Sequence, residues 1–580
     1  YSPRGCEAGP AEVGRQERRV GMKTTDKEVC NILVDVLLKH GVKRAVVSPG
    51  SRNAPLLVAL SREDGIEKTI IVDERSAAFV ALGMAQQTGE PVAIVCTSGT
   101  ALLNYAPAVA EAYYQKLPLI VVSADRPKEW IDQDDSQTIR QFEALSQFVK
   151  RSYDLPARCG DDVARWYADR IINDAMMEAT SGRCAPVHIN IQLDEPLSGS
   201  SEWSRQSRGI ELISPSADLS ESDMSRLVEL SRGSRILVIA GFMRPDEKCQ
   251  KALGRLSEMP NVAVLTETIS NMRSPRFISA IDRTLIAMEE AEEYVPDLLI
   301  TIGGAIVSRM VKTFLRHNKP KYQWYVGVSD VTVDCMQSLT TRIQTDAGSF
   351  LSQFADVYCK MKEDGDFANR WQALAEKGLA RHCRYVQNAP WSDMKAHSVI
   401  FKLLNEPVKP IRLQLSNGTT IRYAQLFGDL VSADNFCNRG VSGIDGSTST
   451  ALGASLAFDG LTVLITGDMS FGYDLSGLAS RYNTKNFKII VINNSGGGIF
   501  RFVKSTAALP ELEEYLECQR ELPVKKYSDA FGFCYYEAEN ETELNAQLSE
   551  FLSVEQPAIL SVKTDSVISG ETLKNYFKKI

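Results

Sequence analysis

Short, wholly apolar runs that alternate with helical stretches constrain this chain more than any other feature. Between Lys43 and Pro127 they are residues 44–47, 69–72, 92–96 and 117–124. A strand that is apolar along its whole length is covered on both faces, as in a parallel sheet wrapped by helices. The runs lead into polar turns: Ser48-Pro-Gly-Ser-Arg52, Asp73-Glu74-Arg75, Thr97-Ser-Gly-Thr100 and Asp125-Arg126-Pro127. Parallel sheets present ligands beyond the carboxyl ends of their strands, so these four turns share one rim. Packing alone does not ask for a glutamate and several arginines there.

Two later runs, residues 461–466 and 488–492, end in a different pair of turns. The first gives Gly467-Asp468-Met469-Ser470, and twenty-five residues after Asp468 the second gives Asn493-Asn494-Ser495-Gly496-Gly497. An acid and an amide at two strand ends put hard oxygens on one sheet edge, where glycine backbone can approach phosphate. Mg²⁺ takes such ligands and completes its octahedron with water and phosphate. The spacing resembles the diphosphate-and-metal signature of thiamin-diphosphate enzymes, although Met469 stands where that signature has Gly. Taken alone, it is equally two ordinary strand-end turns.

The resemblance becomes specific through Ser-Pro-Gly-Ser-Arg-Asn-Ala-Pro-Leu at 48–56, Asp-Glu-Arg-Ser-Ala-Ala-Phe at 73–79, Thr-Ser-Gly-Thr-Ala at 97–101 and Ser-Ala-Asp-Arg-Pro at 123–127. Gln137-Thr-Ile-Arg-Gln141 and Asn438-Arg-Gly-Val-Ser-Gly-Ile-Asp-Gly446 extend it. These strings resemble the 2-succinyl-5-enolpyruvyl-6-hydroxy-3-cyclohexene-1-carboxylate synthase family of menaquinone biosynthesis. The likeness runs from Met22 to the end in the family's order, and it is weakest in the middle third. It implies an α/β chain of three doubly wound parallel-sheet domains of the thiamin-diphosphate-enzyme type. We place an aminopyrimidine-binding domain at 22–200, a central α/β domain at 209–365 and a diphosphate- and metal-binding domain at 366–580. Ser198 to Arg208 reads as a linker, and residues 1–21 as a disordered leader of cloning origin or translated upstream sequence.

By this resemblance Glu74 shares a proton with N1′ of the cofactor's aminopyrimidine. Facing the apolar helix that follows it, its carboxyl is expected to be desolvated. Asp468, Asn494 and the Gly496 carbonyl match the metal ligands, for Mg²⁺ or Mn²⁺. Asn417, Gly418, Thr419 and Ser470 match the diphosphate contacts, with Gly418 where Ser is common, and Ile444 matches the wedge between the cofactor rings. Ser51, Arg52, Arg126, Gln137, Arg309, Arg422 and Arg439 occupy substrate positions. Several guanidinium forks at one rim imply substrates with several carboxylates. Domain membership divides them: Arg422 and Arg439 toward 2-oxoglutarate, and Arg52, Arg126, Gln137 and Arg309 toward isochorismate. Arg309 is the remaining member of a basic pair, with Met310 in the other place, and Ser136 stands where Asn is common. The five histidines carry no motif.

The implied reaction is decarboxylation of 2-oxoglutarate followed by 1,4-addition of the resulting succinyl carbanion equivalent to isochorismate. Another thiamin-diphosphate decarboxylase or carboligase would share Glu74 and the metal turn without this density of arginine, and a non-catalytic oligomeric relative is the third reading. Self-association as a homodimer or homotetramer is expected, because Glu74 and Asp468 belong to different domains. A net charge of -8 gives no basic face for nucleic acid. No apolar run reaches the roughly 18 residues of a membrane span. Twelve scattered cysteines without C-x-x-C fit reduced thiols in the cytoplasm.

Overall fold

The apolar runs become strands of three six-stranded, all-parallel sheets. The computed structural model describes residues 23–214, 218–405, 410–428 and 433–579. The leader expected over 1–21 lies outside the described residues.

The first sheet holds Arg44–Val47, Glu67–Ile70, Val92–Cys96, Leu119–Asp125, Ser152–Leu155 and Val187–Gln192. Counted in chain order, these strands lie side by side as 2-1-3-4-6-5. The third sheet, built from Ile411–Leu415, Ala433–Cys437, Leu461–Gly467, Phe487–Asn493, Cys534–Ala538 and Ala558–Lys563, repeats that order without repeating the sequence. The middle sheet, with Ile236–Ala240, Val262–Thr266, Phe277–Ile278, Leu298–Ile302, Tyr322–Val326 and Thr341–Ile343, runs 3-2-1-4-5-6.

In each sheet the direction of winding reverses beside the first strand, and a crevice opens there at the carboxyl ends. In the first sheet this sets Ser48–Arg52 against Thr97–Thr100, so closely that a Cβ on Gly50 would fall 2.3 Å from that of Thr97. In the third sheet it sets Ser416–Thr419 beside Gly467–Ser470. In the middle sheet Gly241 meets Gly304, just ahead of Arg309.

The first and third sheets share one core. Helix Glu74–Thr88 starts at Asp73, whose carboxylate accepts the Ser76 N–H, and ends at Gly89 with φ 70°. It packs on helix Ser447–Leu456 of the third domain, and Phe79, Val80 and Leu82 join Leu452, Leu464, Phe471 and Ile489 in one buried cluster. Burying such side chains is worth about 1.5–3 kcal/mol each, so this shared core fixes the two crevices relative to one another.

Two boundaries carry more structure than the sequence suggests. Within the stretch read as a linker, Ser200–Glu202 pairs antiparallel with Lys23–Thr25, and the Trp203 indole donates to Asp35 at 3.1 Å. Helix Phe367–Gln387 serves two domains: Phe367, Trp371 and Leu374 join the core under the middle sheet, while His382 bonds Tyr576 in the third domain. The edge strand expected at 69–72 forms two residues earlier, leaving Val72 76% exposed.

Candidate active site

Glu74 opens its helix at the first crevice. The sequence reading expected it to be desolvated by the apolar residues that follow. Instead those residues pack against the third domain, and Glu74 stays half-buried. Its charge faces Cys96 and Tyr105, whose ionisation it opposes after burial has done most of that work. Arg75 does not neutralise it. That guanidinium donates to the Tyr473 carbonyl at 3.0 Å and lies 3.8 Å from Asp474.

The remaining first-domain residues surround the same crevice. Ser51 is exposed at the turn. Arg52 is buried and donates to the Leu193 carbonyl at 3.0 Å and to Glu195 at 3.2 Å, so part of its fork is already committed. Arg126 pairs with Asp135 at 2.6 Å, and its Nε is buried without a partner among the described residues. Gln137, at φ 58°, reaches across to the Ser98 carbonyl at 3.3 Å. Beneath them Gln141 accepts the Gly99 N–H at 2.7 Å and donates to the Ala124 carbonyl, tying two strand ends together.

In the third-domain crevice Asp468 and Asn494 are both buried. Asp468 accepts the N–H groups of Met469 at 2.7 Å and Gly496 at 3.0 Å, while burial pushes its carboxyl up to about 7. Asn494 gives its NH₂ to Asp393 at 2.9 Å, which leaves its oxygen buried and unpartnered among the described residues. A carboxylate and an orphaned amide oxygen beside glycine backbone fit a hard cation. Met469, the departure from the signature, covers Gly497: a Cβ there would lie 2.9 Å from its sulfur. Gly418 has φ 98° with open space around it, so backbone conformation and not crowding explains its departure. Ser470 donates to the Ile444 carbonyl at 2.9 Å, and Arg439 donates to Asn417 Oδ1 at 2.9 Å.

The substrate arginines regroup. Domain membership sets Arg309, of the middle domain, with the isochorismate residues, but its charge acts on Arg422 together with that of Arg439. Burial lowers the Arg422 pKa, and the charges of Arg309 and Arg439 lower it further. The docking that permits this is an exchange between Asn271 and Asn435, with bonds of 3.0 and 2.8 Å joining the middle domain to the third. Glu267 accepts the Val307 and Ser308 N–H groups at 2.8 Å each, setting the turn ahead of Arg309. Asp282 accepts the Ser308 hydroxyl. Met310 is no cation and lines an apolar cavity of about 350 Å³ with Leu285, Met288 and Phe314.

Residues 27–144 match the family described as thiamine pyrophosphate enzyme, N-terminal TPP binding domain, and residues 418–562 match its C-terminal TPP binding domain. Over nearly its whole length the chain is similar to 2-succinyl-5-enolpyruvyl-6-hydroxy-3-cyclohexene-1-carboxylate synthases. The protein of that name from Porphyromonas gingivalis is 41% identical over 96% of this chain and 98% of its own. The one from Christiangramia forsetii is 38% identical over 96% and 99%, and that from Cytophaga hutchinsonii 36% over 94% and 98%. The chain belongs to the 2-succinyl-5-enolpyruvyl-6-hydroxy-3-cyclohexene-1-carboxylate synthase family.

Within this synthase fold, three groups near the crevices escaped the sequence reading. Lys312 lies one turn from Arg309 on helix Arg309–His317, and its charge bears on Glu267 and Arg439. Its i,i+3 spacing was a readable signal. Asp393 and Glu111 are single acids in helices, and nothing in the sequence marks them as buried.

Proposed function

We propose that this chain decarboxylates 2-oxoglutarate and adds the succinyl carbanion equivalent in a 1,4 sense to isochorismate, releasing carbon dioxide and 2-succinyl-5-enolpyruvyl-6-hydroxy-3-cyclohexene-1-carboxylate. The observation that carries this reading is the grouping of Arg309 and Arg439 with Arg422, where Asp282 opposes but does not cancel the effect of burial and of the two cations. Substrate carboxylates suit such an excess of positive charge.

Thiamin diphosphate, when bound, supplies the carbanionic carbon and the electron sink that loss of carbon dioxide requires. Asn417, Gly418, Thr419 and Ser470 would hold its diphosphate, and Asp468, Asn494 and the Gly496 carbonyl would hold Mg²⁺ or Mn²⁺ beside it. Ile444 would pack against the cofactor's rings. Glu74 holds the proton at N1′ of the aminopyrimidine. Arg422 and Arg439, with Arg309 and Lys312, orient the carboxylates of 2-oxoglutarate. Ser51, Arg52, Arg126 and Gln137 orient isochorismate from the opposite rim.

Glu74 and Asp468 lie at the rims of two different sheets, in different domains. A site between two chains lets both rims serve one cofactor. Val72, Leu103, Val441 and Tyr473, near these rims, are apolar and exposed. We therefore place the site between chains of a homodimer or homotetramer. A monomer that keeps full activity in analytical ultracentrifugation sinks this assembly. The eleven described cysteines are all free, in keeping with a cytoplasmic enzyme, and no described helix is long and apolar enough to cross a membrane.

The deciding experiment measures carbon dioxide release from 2-oxoglutarate with and without isochorismate, at saturating thiamin diphosphate and Mg²⁺. Release coupled to consumption of isochorismate is expected. Release from pyruvate but not from 2-oxoglutarate would assign the chain to a different thiamin-diphosphate decarboxylase.

A further inference from the structure

Glu111 lies on helix Ala106–Gln115 of the first domain and is 1% exposed. Its carboxylate reaches into the third domain, where Oε1 accepts the Gly440 N–H at 2.6 Å and Oε2 accepts the Val441 N–H at 2.7 Å. The approach is too close for a side chain, since a Cβ on Gly440 would lie 2.6 Å from the Glu111 carbonyl oxygen. Burial raises the Glu111 carboxyl above its usual range, and the Val441 N–H, the Gln115 amide and the Gly440 N–H pull it back.

The captured backbone belongs to the segment that carries Arg439 and Ile444. Asn417 already ties the ends of that segment, donating to the Asn438 carbonyl at 2.7 Å and to the Gly443 carbonyl at 2.8 Å. Asn417 also accepts from Arg439. Glu111 therefore holds the middle of a loop whose two ends are tied to the strand-end turn at 416–419.

A relay of amides leads back to the same turn. Gln115 donates to Glu111 Oε1 at 2.5 Å, Gln86 donates to the Gln115 oxygen at 2.9 Å, and Gln414 donates to the Gln86 oxygen at 3.1 Å. Gln414 lies on strand Ile411–Leu415, two residues before Ser416. An ionised carboxylate only accepts, so it forces Gln115 to present its NH₂, and each amide then orients the next. The path starts and ends in the third domain and passes through the first.

We infer that Glu111 is a positioning residue: from the first domain it fixes the Gly440–Val441 backbone, and so sets where Arg439 and Ile444 stand over the turn at 416–419. This rests on the proposed reading of Arg439 as a ligand of 2-oxoglutarate. Charge-assisted bonds to backbone N–H are stronger than neutral ones, so an isosteric amide in place of the carboxylate turns one acceptor into a donor facing a donor.

The test is Glu111→Gln in the holoenzyme with thiamin diphosphate and Mg²⁺. Hydrogen exchange over the 438–446 backbone should accelerate about tenfold, and KM for 2-oxoglutarate should rise about tenfold with kcat within about threefold. A merely structural role would lower melting temperature without that split between KM and kcat. Glu111→Asp, which keeps the charge on a shorter arm, should recover part of both effects. If Glu111→Gln does not fold, Gln115→Met is read by the same two measurements, with about threefold changes expected. Unchanged exchange, or faster exchange with unchanged KM, overturns the inference. Exchange needs no turnover, so a parent enzyme inert toward 2-oxoglutarate would sink the functional reading and leave the clamp still measurable.

Discussion

The Asn494 amide donates to the Asp393 carboxylate at 2.9 Å, and that bond decides which end of the amide faces the crevice. Asp393 is buried and is also held by the hydroxyls of Thr564 at 2.6 Å and Ser569 at 3.1 Å, so it cannot turn away. The freed Asn494 oxygen has no partner among the described residues, and two residues on, Gly496 gives its N–H to Asp468. Groups that orient a metal ligand typically contribute 10–100-fold to affinity, so Asp393→Asn should weaken Mg²⁺-dependent cofactor binding by roughly that factor. Calorimetric titration of the folded variant with cofactor and Mg²⁺ checks this. Parental affinity would remove Asp393 from the metal site.

Glu74 is half-buried at a helix start, with Arg75 engaged elsewhere, so its carboxyl is available to the aminopyrimidine. Glu74→Gln should bind cofactor nearly as the parent does while turnover falls roughly 10²–10⁴-fold, the range for loss of a positioned acid–base group. The decisive observable is exchange of the C2 proton on bound cofactor. Exchange at the parental rate eliminates Glu74 from proton transfer.

Regrouping of the arginines changes the prediction for Arg309 alone, which domain membership sets with the isochorismate residues. Arg309 and Arg422 repel one another, so they should serve the same carboxylates and behave as a unit. Each alanine replacement should cost on the order of 2–5 kcal/mol, and the double replacement should cost less than the sum. With 2-oxoglutarate alone, both variants should lose carbon dioxide release. Arg126→Ala should retain it and fail only in consuming isochorismate. The opposite pattern would mean that the two rims have been assigned the wrong way round.

Central strands were legible because both their faces are covered, which makes them apolar throughout: Val92–Cys96 and Leu298–Ile302 are buried at every position. Edge strands other than Glu67–Ile70 were harder to read. Ser152–Leu155 and Thr341–Ile343 are short and partly exposed, so their composition resembles that of loops. Motif residues such as Asp468 announced themselves through spacing, whereas Asp393 and Glu111 are isolated acids whose meaning arises only when distant segments meet. Arg309 was legible as a motif residue, but its nearness to Arg422 was not, because it arises only where the middle and third domains meet, as at Asn271 and Asn435.

Glu267 gives the fold a pH dependence of known sign. Burial raises its carboxyl from 4.5 to about 7, with Asp282 acting in the same direction and the Val307 and Ser308 N–H groups and Arg439 opposing. Lys312 also faces it. A carboxyl whose pKa is raised on folding binds its proton more tightly in the folded chain. Its contribution is therefore most favourable below the unfolded value, declines as pH rises toward about 7, and is constant above. The slope cannot exceed about 1.4 kcal/mol per pH unit for one group. The melting temperature of the parent relative to Glu267→Gln should fall between about pH 5 and 7 and level off beyond. A flat difference across that window would remove Glu267 as a titrating group.

The last expectation concerns the helix crossing that joins the first and third domains. Gly83 and Gly453 lie where helices Glu74–Thr88 and Ser447–Leu456 touch backbone to backbone. A Cβ on Gly83 would fall 2.0 Å from the Thr450 carbonyl oxygen, and one on Gly453 would fall 2.0 Å from that of Val80. In an exposed helix, replacing Gly by Ala gains roughly 0.5–1 kcal/mol. Here the added methyl meets backbone that cannot yield without parting the shared core, and overpacking of this kind costs about 1–3 kcal/mol or more. Gly453→Ala should therefore lower the melting temperature despite its better helix propensity. It should also disturb both crevices, because Glu74 and Ser447 open the two crossing helices. Gly254, in helix Glu247–Leu256 with open space around its Cβ position, supplies the comparison: Gly254→Ala should be neutral or stabilising. Equal responses at Gly453 and Gly254 in thermal unfolding would show that the crossing tolerates an added methyl.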